Sequence, residues 1–497
     1  MRLSTQDASF LYSETASGPM NGAGIAVIEG EVPFDTIYRH IASRLHLVPR
    51  YRQRLAMVPF NLAHPKWVDD PDFDLANHLK RHRLPAGSTL DDAIRAALDF
   101  NEPLLPRDKP LWRMCVIEGV KDRTILAQMG HHAMVDGASG VDISLVLFDL
   151  QKDAPQPEPE PWHPQPLPSP VELATEAALE TVHTLSGENP FKAANFTSER
   201  AELLRRATES MTRFLAEPVL TAPWNAAPVG PKRQFLWRKY SFADFRRIRS
   251  TLGGTINDVV LATVTEAAAR YLKAHDERTA GQHLRIMCPV NVRTEDERGA
   301  LGNRVSGIFP VFDAEPMDMG ARLHKVRWET EQIKNNREAQ AMQLMTEAAP
   351  SMPSVAMAPT LLVGTPWDPT AMTANFPLPV PPAFGPRPPM FGFNFTCTNV
   401  PGVQTTQYLA GHRILDNLAF LMLSGTLGYG VVVSSYNQNI YFNFICDPRL
   451  MPDLELMANG VDAAFEELLA VAERAQAPAA AQTKSAAAEQ PQPATAN

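Results

Sequence analysis

The sequence predicts a two-domain protein in which β-strands and α-helices alternate along the chain. Its 497 residues exceed what one ordinary core accommodates, and its 44% apolar and 20% charged content is typical of a globular protein. Eight prolines crowd residues 153–170, a composition typical of an extended, semi-rigid linker. We therefore predict an N-terminal domain over 1–152, a Pro-rich linker and helical connection over 153–230, a C-terminal domain over 231–475 and a disordered tail over 476–497.

The first half contains short apolar runs of strand type and longer runs with helical spacing. Three strands and two helices follow from these patterns: strands over 22–29, 112–118 and 124–129, and helices over 36–46 and 90–100. The last strand, 124–129, runs directly into the segment His131-His132-Ala133-Met134-Val135-Asp136-Gly137. Apolar residues at helical spacing follow over 138–150. The sequence therefore predicts a strand, a tight turn and a helix, with two histidines at the end of the strand.

The second half has the same mixture. Helices are predicted over 171–185, 198–215, 255–272 and 452–474, strands over 234–240, 285–292 and 391–398, and a hairpin over 431–445. Residues 350–389 contain twelve prolines and no clear periodicity, so we predict a long irregular loop or lid there.

The histidine pair is the strongest candidate for chemistry. A neutral imidazole titrates near physiological pH and can therefore accept a proton from an alcohol. We assign His132 as a general base, because the His-x-x-x-Asp-Gly unit is counted from it. His131 points to the opposite side of the strand end and is predicted to be structural. Gly137 permits a backbone conformation that a side chain would forbid.

Asp136 lies four residues after His132, across the predicted turn. It either accepts a hydrogen bond from His132 or fixes the turn by pairing with an arginine, and we favour the second interpretation. Arg293 and Arg304, at the end of one strand and the start of another, are the candidate partners. An alternative use of the histidine pair as metal ligands is disfavoured, because adjacent strand residues point to opposite faces. No metal is expected at this site.

Asn257 and Asp258 open the long apolar helix over 255–272. The Thr-x-x-Asp pattern from Thr255 is that of a capping box, so the simplest role of Asp258 is to cap the helix. Asn257 lies in the first turn, at the positive end of the helix dipole. Its amide is a candidate donor to a developing oxyanion.

Charge and cysteine content narrow the function further. A formal net charge of −9 argues against a nucleic-acid partner. The four cysteines are widely spaced and form no zinc or redox motif, so we predict reduced, buried thiols in a cytoplasmic protein. The N-terminus lacks an apolar signal core, and the chain has no uninterrupted apolar stretch of membrane-spanning length. Peripheral association with a membrane or a lipid-droplet surface stays open.

The motif and its surroundings resemble a known family. The pattern His131-His132-x-x-x-Asp136-Gly137 is similar to the signature of coenzyme-A-dependent acyltransferases, a superfamily that includes chloramphenicol acetyltransferase and peptide-synthetase condensation domains. The flanking sequence resembles specifically the bacterial wax ester synthase/diacylglycerol acyltransferase family. The similar stretches are residues 4–7, 10–11, 67–75, Pro110-Leu111-Trp112, 257–262, 289–293 including Arg293, Gly302-Asn303 and 398–402. Asn291, where the family usually has serine, and the proline-rich residues 350–389 depart from its pattern.

The resemblance implies a fold and a reaction. The fold is α/β: two similarly built domains of mixed sheets flanked by helices, as in chloramphenicol acetyltransferase, with the active site in a channel between them. The reaction is transfer of a long acyl group from acyl-CoA, a co-substrate, to diacylglycerol or a fatty alcohol. The resemblance implies no other cofactor and no covalent enzyme intermediate. It places Asn257 near the reaction centre, and Pro110, Leu111 and Trp112 in the scaffold or the acceptor channel.

Two other functions compete with this one. A condensation-type enzyme would take its acyl group from a carrier protein, but the N-terminal stretches that resemble the family argue against it. A non-catalytic protein that coats lipid droplets would have no chemical need for His132, Asp136 and Gly137. The acyltransferase is therefore the favoured prediction.

Overall fold

The computed structural model describes residues 1–59, 62–134, 144, 146–186, 197–291, 305–341 and 392–488. The elements of the first half are helices α1 (Thr5–Ser13), α2 (Phe34–Ala42), α3 (Leu75–His78) and α4 (Leu90–Asn101), and strands β1 (Asn21–Glu29), β2 (Gln53–Ala56), β3 (Lys66–Asp69), β4 (Leu79–Ser88), β5 (Trp112–Val120) and β6 (Arg123–His131). The three predicted strands correspond to β1, β5 and β6, and the two predicted helices to α2 and α4.

The second half supplies the remaining elements. Its helices are α5 (Pro170–Ser186), α6 (Ser198–Ala216), α7 (Phe242–Leu252), α8 (Ile256–Ala274), α9 (Met319–Asn335) and α10 (Leu454–Ala488). Its strands are β7 (Gln234–Ser241), β8 (His283–Asn291), β9 (Val305–Ile308), β10 (Val311–Asp313), β11 (Phe395–Val400), β12 (Tyr408–Leu409), β13 (His412–Phe420), β14 (Tyr429–Tyr436) and β15 (Asn439–Cys446). Helix α10 continues past the predicted end at residue 474, into an alanine-rich segment of high helix propensity.

Two mixed sheets organise the molecule, as the predicted α/β class requires. The first sheet has the order β12-β13-β1-β6-β5-β4, in which only β4 and β5 pair in parallel. The second has the order β10-β8-β11-β14-β15-β7, with β9 paired to β8, and β11 runs parallel to both β8 and β14. Each sheet has its own apolar core. A small third sheet pairs β2 with β3.

The second half of the chain completes the first sheet. Strand β13 pairs antiparallel with β1, so that Phe420 lies opposite Ala23 and Leu418 opposite Ile25. Asp416 of β13 accepts hydrogen bonds from Lys239 Nζ at 2.7 Å and from Tyr441 Oη at 3.0 Å, and both donors belong to the second sheet. The predicted domain boundaries at residues 152 and 231 stay a prediction. Residues 408–420, which the sequence assigns to the C-terminal domain, belong to the first sheet.

The motif Pro110-Leu111-Trp112 lies in the core of the first sheet. Trp112 is 1% exposed and stacks between the rings of Tyr51, at 4.5 Å, and His78, at 4.7 Å. Its indole N–H donates to the backbone oxygen of Tyr51 at 2.8 Å. The resemblance implies that this motif belongs either to the scaffold or to the acceptor channel, and these contacts of Trp112 favour the scaffold.

We expect Trp112→Ala to destabilise the protein strongly. The substitution empties a large core site and leaves the Tyr51 carbonyl without its donor, so the free energy of unfolding should fall by about 3–5 kcal/mol. Trp112→Phe retains the ring stack and should cost clearly less. Urea denaturation of both variants measures the difference. Equal, small losses in the two variants would contradict a packing role for the indole.

The acidic segment over residues 69–74 makes turn and capping contacts. Asp70 Oδ1 accepts a hydrogen bond from the Asp72 N–H at 3.2 Å, and Asp74 caps α3 by accepting from the Ala76 N–H at 2.9 Å. In the part of the chain that the structure describes, no three histidine, cysteine, aspartate or glutamate side chains are arranged to hold a metal ion. Asx turns account for these carboxylates.

Candidate active site

The turn that carries the two histidines is fixed by hydrogen bonds at each successive backbone N–H. The His131 N–H donates to Leu111 O at 2.9 Å and the His132 N–H to Met20 O at 2.8 Å. The Ala133 N–H donates to the His131 Nδ1 at 3.0 Å, and the Met134 N–H donates to His131 O at 2.8 Å. Strand β6 lies between β1 and β5, so the turn begins from the interior of the first sheet. A site on such a rigid element holds its side chains at a defined position.

His132 is the accessible member of the pair. Its ring is half-buried and stacks on the ring of Phe10, with centroids 4.3 Å apart and planes inclined by 30°. Phe10 belongs to α1, which begins with a Ser4 cap that accepts from the Asp7 N–H at 3.0 Å. The N-terminal stretch that resembles the acyltransferase family therefore builds one wall of the histidine site.

His131 is enclosed. Its side chain is fully buried, and its Nδ1 accepts the Ala133 N–H. Its Nε2 lies 3.3 Å from the Glu14 Oε1, just beyond the usual hydrogen-bond range. Burial lowers the pKa of His131, although Glu14 acts in the opposite direction. Burial therefore favours the neutral ring, and the structural role of His131 stays a prediction.

Glu14 was not anticipated from the sequence. It follows α1 directly, and its side chain is 2% exposed. Its Oε1 accepts the Met20 N–H at 3.0 Å, and its Oε2 pairs with Arg107. Burial by itself would raise the pKa of Glu14, but the contacts with His131, Met20 and Arg107 hold that pKa below its ordinary value. A charged carboxylate is therefore buried beside the histidine turn.

Five predicted site residues lie outside the described residues. They are Asp136, Gly137, Arg293, Asn303 and Arg304. The proposed pairing of Asp136 with Arg293 or Arg304 therefore stays a prediction, as does the lid over residues 350–389.

Asn257 lies at the second position of α8, where the sequence placed it. The capping box is complete: Thr255 Oγ1 accepts the Asp258 N–H at 3.2 Å, and Asp258 Oδ2 accepts the Thr255 N–H at 2.7 Å. Asn257 is half-buried, and its Oδ1 accepts a hydrogen bond from Asn399 Nδ2 at 3.3 Å. This contact uses the Asn257 amide oxygen as its acceptor.

Asp258 has the structural role that its capping position indicated. It is 3% exposed, and besides the capping bonds its Oδ1 accepts from Thr330 Oγ1 of α9 at 2.8 Å. The residue therefore joins the start of α8 to α9. Its carboxylate oxygens are committed to these contacts.

Strand β11, whose Asn399 contacts Asn257, leads back to the segment that follows the histidine motif. Asn399 is near the end of β11, and the chain then crosses to the first sheet. Tyr408 exchanges two backbone hydrogen bonds of 2.8 Å with Asp149, and Gln407 Nε2 contacts the Ser144 carbonyl at 3.5 Å. Ser144 and Asp149 belong to the segment that follows the histidine motif. Gln407 is eight positions after Asn399, so the Cα atoms of these two residues are at most about 28 Å apart.

Comparison with protein families decides the membership of this chain. The sequence model of the wax ester synthase/diacylglycerol acyltransferase catalytic domain matches residues 3–260, and the model of the C-terminal domain of the same family matches residues 301–469. The chain belongs to the wax ester synthase/diacylglycerol acyltransferase family. The catalytic-domain match includes both histidines, Glu14 and Asn257.

Individual relatives agree with this family assignment. The chain is 28% identical over 490 residues to a probable diacylglycerol O-acyltransferase of Mycobacterium tuberculosis (strain ATCC 25618 / H37Rv), covering 95% of this chain and 96% of that protein. A putative diacylglycerol O-acyltransferase of Mycobacterium bovis gives the same identity and coverage.

Solved structures share the fold of this family member. The wax ester synthase/diacylglycerol acyltransferase from Marinobacter aquaeolei VT8 superposes with a TM-score of 0.62 at 20% identity, over 95% of this chain and all of that one. The first condensation domain of the calcium-dependent antibiotic synthetase superposes with a TM-score of 0.60 at 12% identity, over 95% and 96% of the two chains. At these identities the likeness shows the two-domain α/β fold.

We expect this acyltransferase family member to lose stability in mild acid. Burial lowers the pKa values of His40, His64, His78 and His131 below 6.5, the ordinary value. Between those lowered values and about 6.5 the unfolded chain binds more protons than the folded one. Stability is therefore complete above about pH 6.5 and falls as the pH decreases, by up to about 1.4 kcal/mol per pH unit for each histidine.

Urea denaturation at a series of pH values measures this dependence. A stability that stays constant from about pH 7 to about pH 5 would contradict the neutral state of these buried rings. The lowered pKa of Glu14 adds a second loss of stability, which begins at a lower pH because carboxylates titrate there.

Proposed function

We propose that this chain transfers a long-chain acyl group from acyl-CoA to the hydroxyl of diacylglycerol, of a fatty alcohol, or of both, with His132 as general base. Membership of the family supports the reaction class. The observation that carries the base assignment is the position of His132: half-buried, stacked on Phe10 and fixed through Met20, beside a buried histidine that is committed to the backbone. The products are triacylglycerol from diacylglycerol and a wax ester from a fatty alcohol.

The proposed reaction is a direct transfer. His132 takes the proton of the acceptor hydroxyl as its oxygen attacks the thioester carbonyl. A tetrahedral oxyanion forms, and its negative oxygen accepts a hydrogen bond from the Asn257 amide nitrogen. Collapse of this intermediate breaks the C–S bond, and the departing thiolate takes the proton from the His132 imidazolium to give free coenzyme A. The reaction balances with acyl-CoA as co-substrate and needs no metal or other cofactor.

The proposed acceptors, diacylglycerol and fatty alcohols, partition into lipid. This supports peripheral association of the protein with a membrane or a lipid-droplet surface. Among the helices of the described ranges, none is sufficiently long and apolar to cross a bilayer. Helix α5 does expose apolar side chains, with Val171 74% and Leu179 65% accessible. The four buried, free cysteines are consistent with the reducing cytoplasm.

The experiment that tests this function is release of coenzyme A thiol by the purified protein. Palmitoyl-CoA is supplied with diacylglycerol, with hexadecanol or with neither. We expect release that depends on an acceptor, and product analysis then ranks the two acceptors. A parallel reaction supplies the acyl group on a carrier protein instead of coenzyme A. Transfer only from the carrier protein would establish the condensation-type alternative. No transfer from acyl-CoA or from the carrier protein would overturn the enzymatic function and favour a lipid-droplet-binding role.

A further inference from the structure

We propose that Glu14 is a positioning residue for the base: it selects the tautomer of His131 that fixes the turn on which His132 lies. This proposal rests on the proposed function only in its kinetic consequence, because the tautomer of His131 is a property of the resting protein. Glu14 contacts His131 and the backbone of the segment that holds His132, so it acts through its neighbours and is assigned no contact with substrate.

The tautomer follows from the two surroundings of the His131 ring. Its Nδ1 accepts the Ala133 N–H at 3.0 Å, so Nδ1 must carry a lone pair and no proton. The proton of the neutral ring is therefore on Nε2, which faces the Glu14 Oε1 at 3.3 Å. A negative oxygen at that place favours Nε2–H over Nδ1–H. In the Nδ1–H tautomer, the N–H of the His131 ring would face the backbone N–H of Ala133, and the hydrogen bond between Ala133 and Nδ1 would be lost.

The same carboxylate also reaches the backbone of His132. Glu14 Oε1 accepts the Met20 N–H at 3.0 Å, and the Met20 carbonyl accepts the His132 N–H at 2.8 Å. Two short routes therefore lead from Glu14 to the catalytic turn, one through the His131 ring and one through Met20.

Arg107 anchors the Glu14 carboxylate by an ion pair. Its guanidinium pairs with Oε2 and also donates to the Leu11 carbonyl at 3.4 Å, near the end of α1. Phe10, which stacks on His132, precedes Glu14 by four residues. The Arg107–Glu14 pair thereby fixes the end of the helix whose aromatic ring supports the base. A misplacement of about 1 Å at a catalytic group can cost roughly 100-fold in rate.

The kinetic test compares Glu14→Ala, Glu14→Gln and Asp447→Ala in the full-length protein. Asp447 is a matched control, since its side chain is also buried, pairs with one arginine, Arg449, and accepts a backbone N–H, from Gly230 at 2.6 Å. We expect Glu14→Ala to lower kcat about 100-fold with little change in KM. Glu14→Gln keeps an acceptor oxygen and should recover most of that loss.

Asp447→Ala should lower Tm about as much as Glu14→Ala while kcat per folded molecule stays near the wild-type value. Equal losses of kcat in the two alanine variants would overturn the positioning role, as would full activity in Glu14→Ala. All rates are measured well below the lowest Tm, so that the folded fraction does not limit them.

The second readout is the tautomer itself, observed by NMR of protein labelled with ¹⁵N-histidine. The His131 signals are assigned by their absence in His131→Asn. We expect protonated Nε2 and unprotonated Nδ1 in the wild type, and a mixture of both tautomers in Glu14→Ala, where the Ala133 N–H alone still favours the wild-type form. Protonated Nδ1 in the wild type, or an unchanged tautomer in Glu14→Ala, would refute the proposal even if the protein showed no acyl transfer. Failure of the proposed function and failure of this inference are therefore distinguishable.

Discussion

His132→Ala is expected to abolish acceptor-dependent release of coenzyme A while the protein stays folded. A positioned general base contributes about 10²–10⁴-fold to such a reaction, so the rate should fall by at least that factor. The backbone bond from the His132 N–H to Met20 O does not involve the side chain and survives the substitution. Initial rates with saturating palmitoyl-CoA, together with the Tm of each protein, measure the two effects separately.

A second histidine provides a matched control. His275 is 30% exposed and stacks on Tyr271 with ring centroids 4.1 Å apart, as His132 stacks on Phe10, and its Nε2 also lies 2.8 Å from Asp453 Oδ2. His275→Ala should therefore show the stability cost of removing a stacked, half-exposed imidazole without the loss of rate. Wild-type activity in a folded His132→Ala variant would remove His132 from the role of base. Another group would then have to accept the proton of the hydroxyl.

The sequence located the histidine turn correctly because every signal for it is local. Apolar residues over 124–129 indicate a strand, and strand alternation separates His131 from His132 without reference to any other part of the chain. The observed β6 ends at His131, one buried histidine followed by one accessible one. The capping box from Thr255 to Asp258 is similarly local and fixed the start of α8.

Glu14 and Asn399 could not be found in this way. Glu14 is 117 positions before His131, and Asn399 is 142 positions after Asn257, so no periodicity relates the members of either pair. The N-terminal stretch around Phe10 and the stretch over 398–402 were noticed as resemblances, but their contacts depend on how the two sheets assemble. Resemblance thus marked the right segments, and only the tertiary fold showed which side chains within them meet.

The same limit applies to β12 and β13. Their residues have ordinary strand patterns, which do not reveal the sheet they will join. Pairing of β13 with β1 is determined by the path of the chain after β11. The same path leads from Asn399, which contacts Asn257, to the segment after the histidine motif. Sequence patterns did not predict this connection between the regions of the two candidate catalytic residues.

Asn257→Ala is expected to lower kcat by about 10²–10³-fold, because it removes a donor to the oxyanion. The effect should appear in kcat more than in KM, since the negative charge on oxygen exists only during the reaction. Stability should change little, because the capping bonds of α8 are made by Thr255 and Asp258. Steady-state kinetics with varied palmitoyl-CoA and measurement of Tm separate these effects.

Two further variants define the role of the amide. Asn257→Asp is nearly the same size but replaces the donor by a carboxylate, so it should be as inactive as alanine. Asn399→Ala keeps the Asn257 donor but removes its hydrogen bond of 3.3 Å to Asn257 Oδ1, and an intermediate loss of kcat is expected. Full activity in Asn257→Asp would exclude donation from this side chain.

Substitution of Asp258, the next residue in the same helix turn, should have the opposite effect: a loss of stability instead of a loss of rate. Asp258→Ala removes the capping box and the bond from Thr330, so it should act mainly on stability, with about 1–2 kcal/mol from the cap alone. Asn257 variants should instead lose rate at nearly constant Tm. Because neighbouring residues experience the same local disturbance of α8, this contrast separates a catalytic amide from a structural carboxylate. A loss of rate that follows Tm in both positions would assign Asn257 to the helix cap as well.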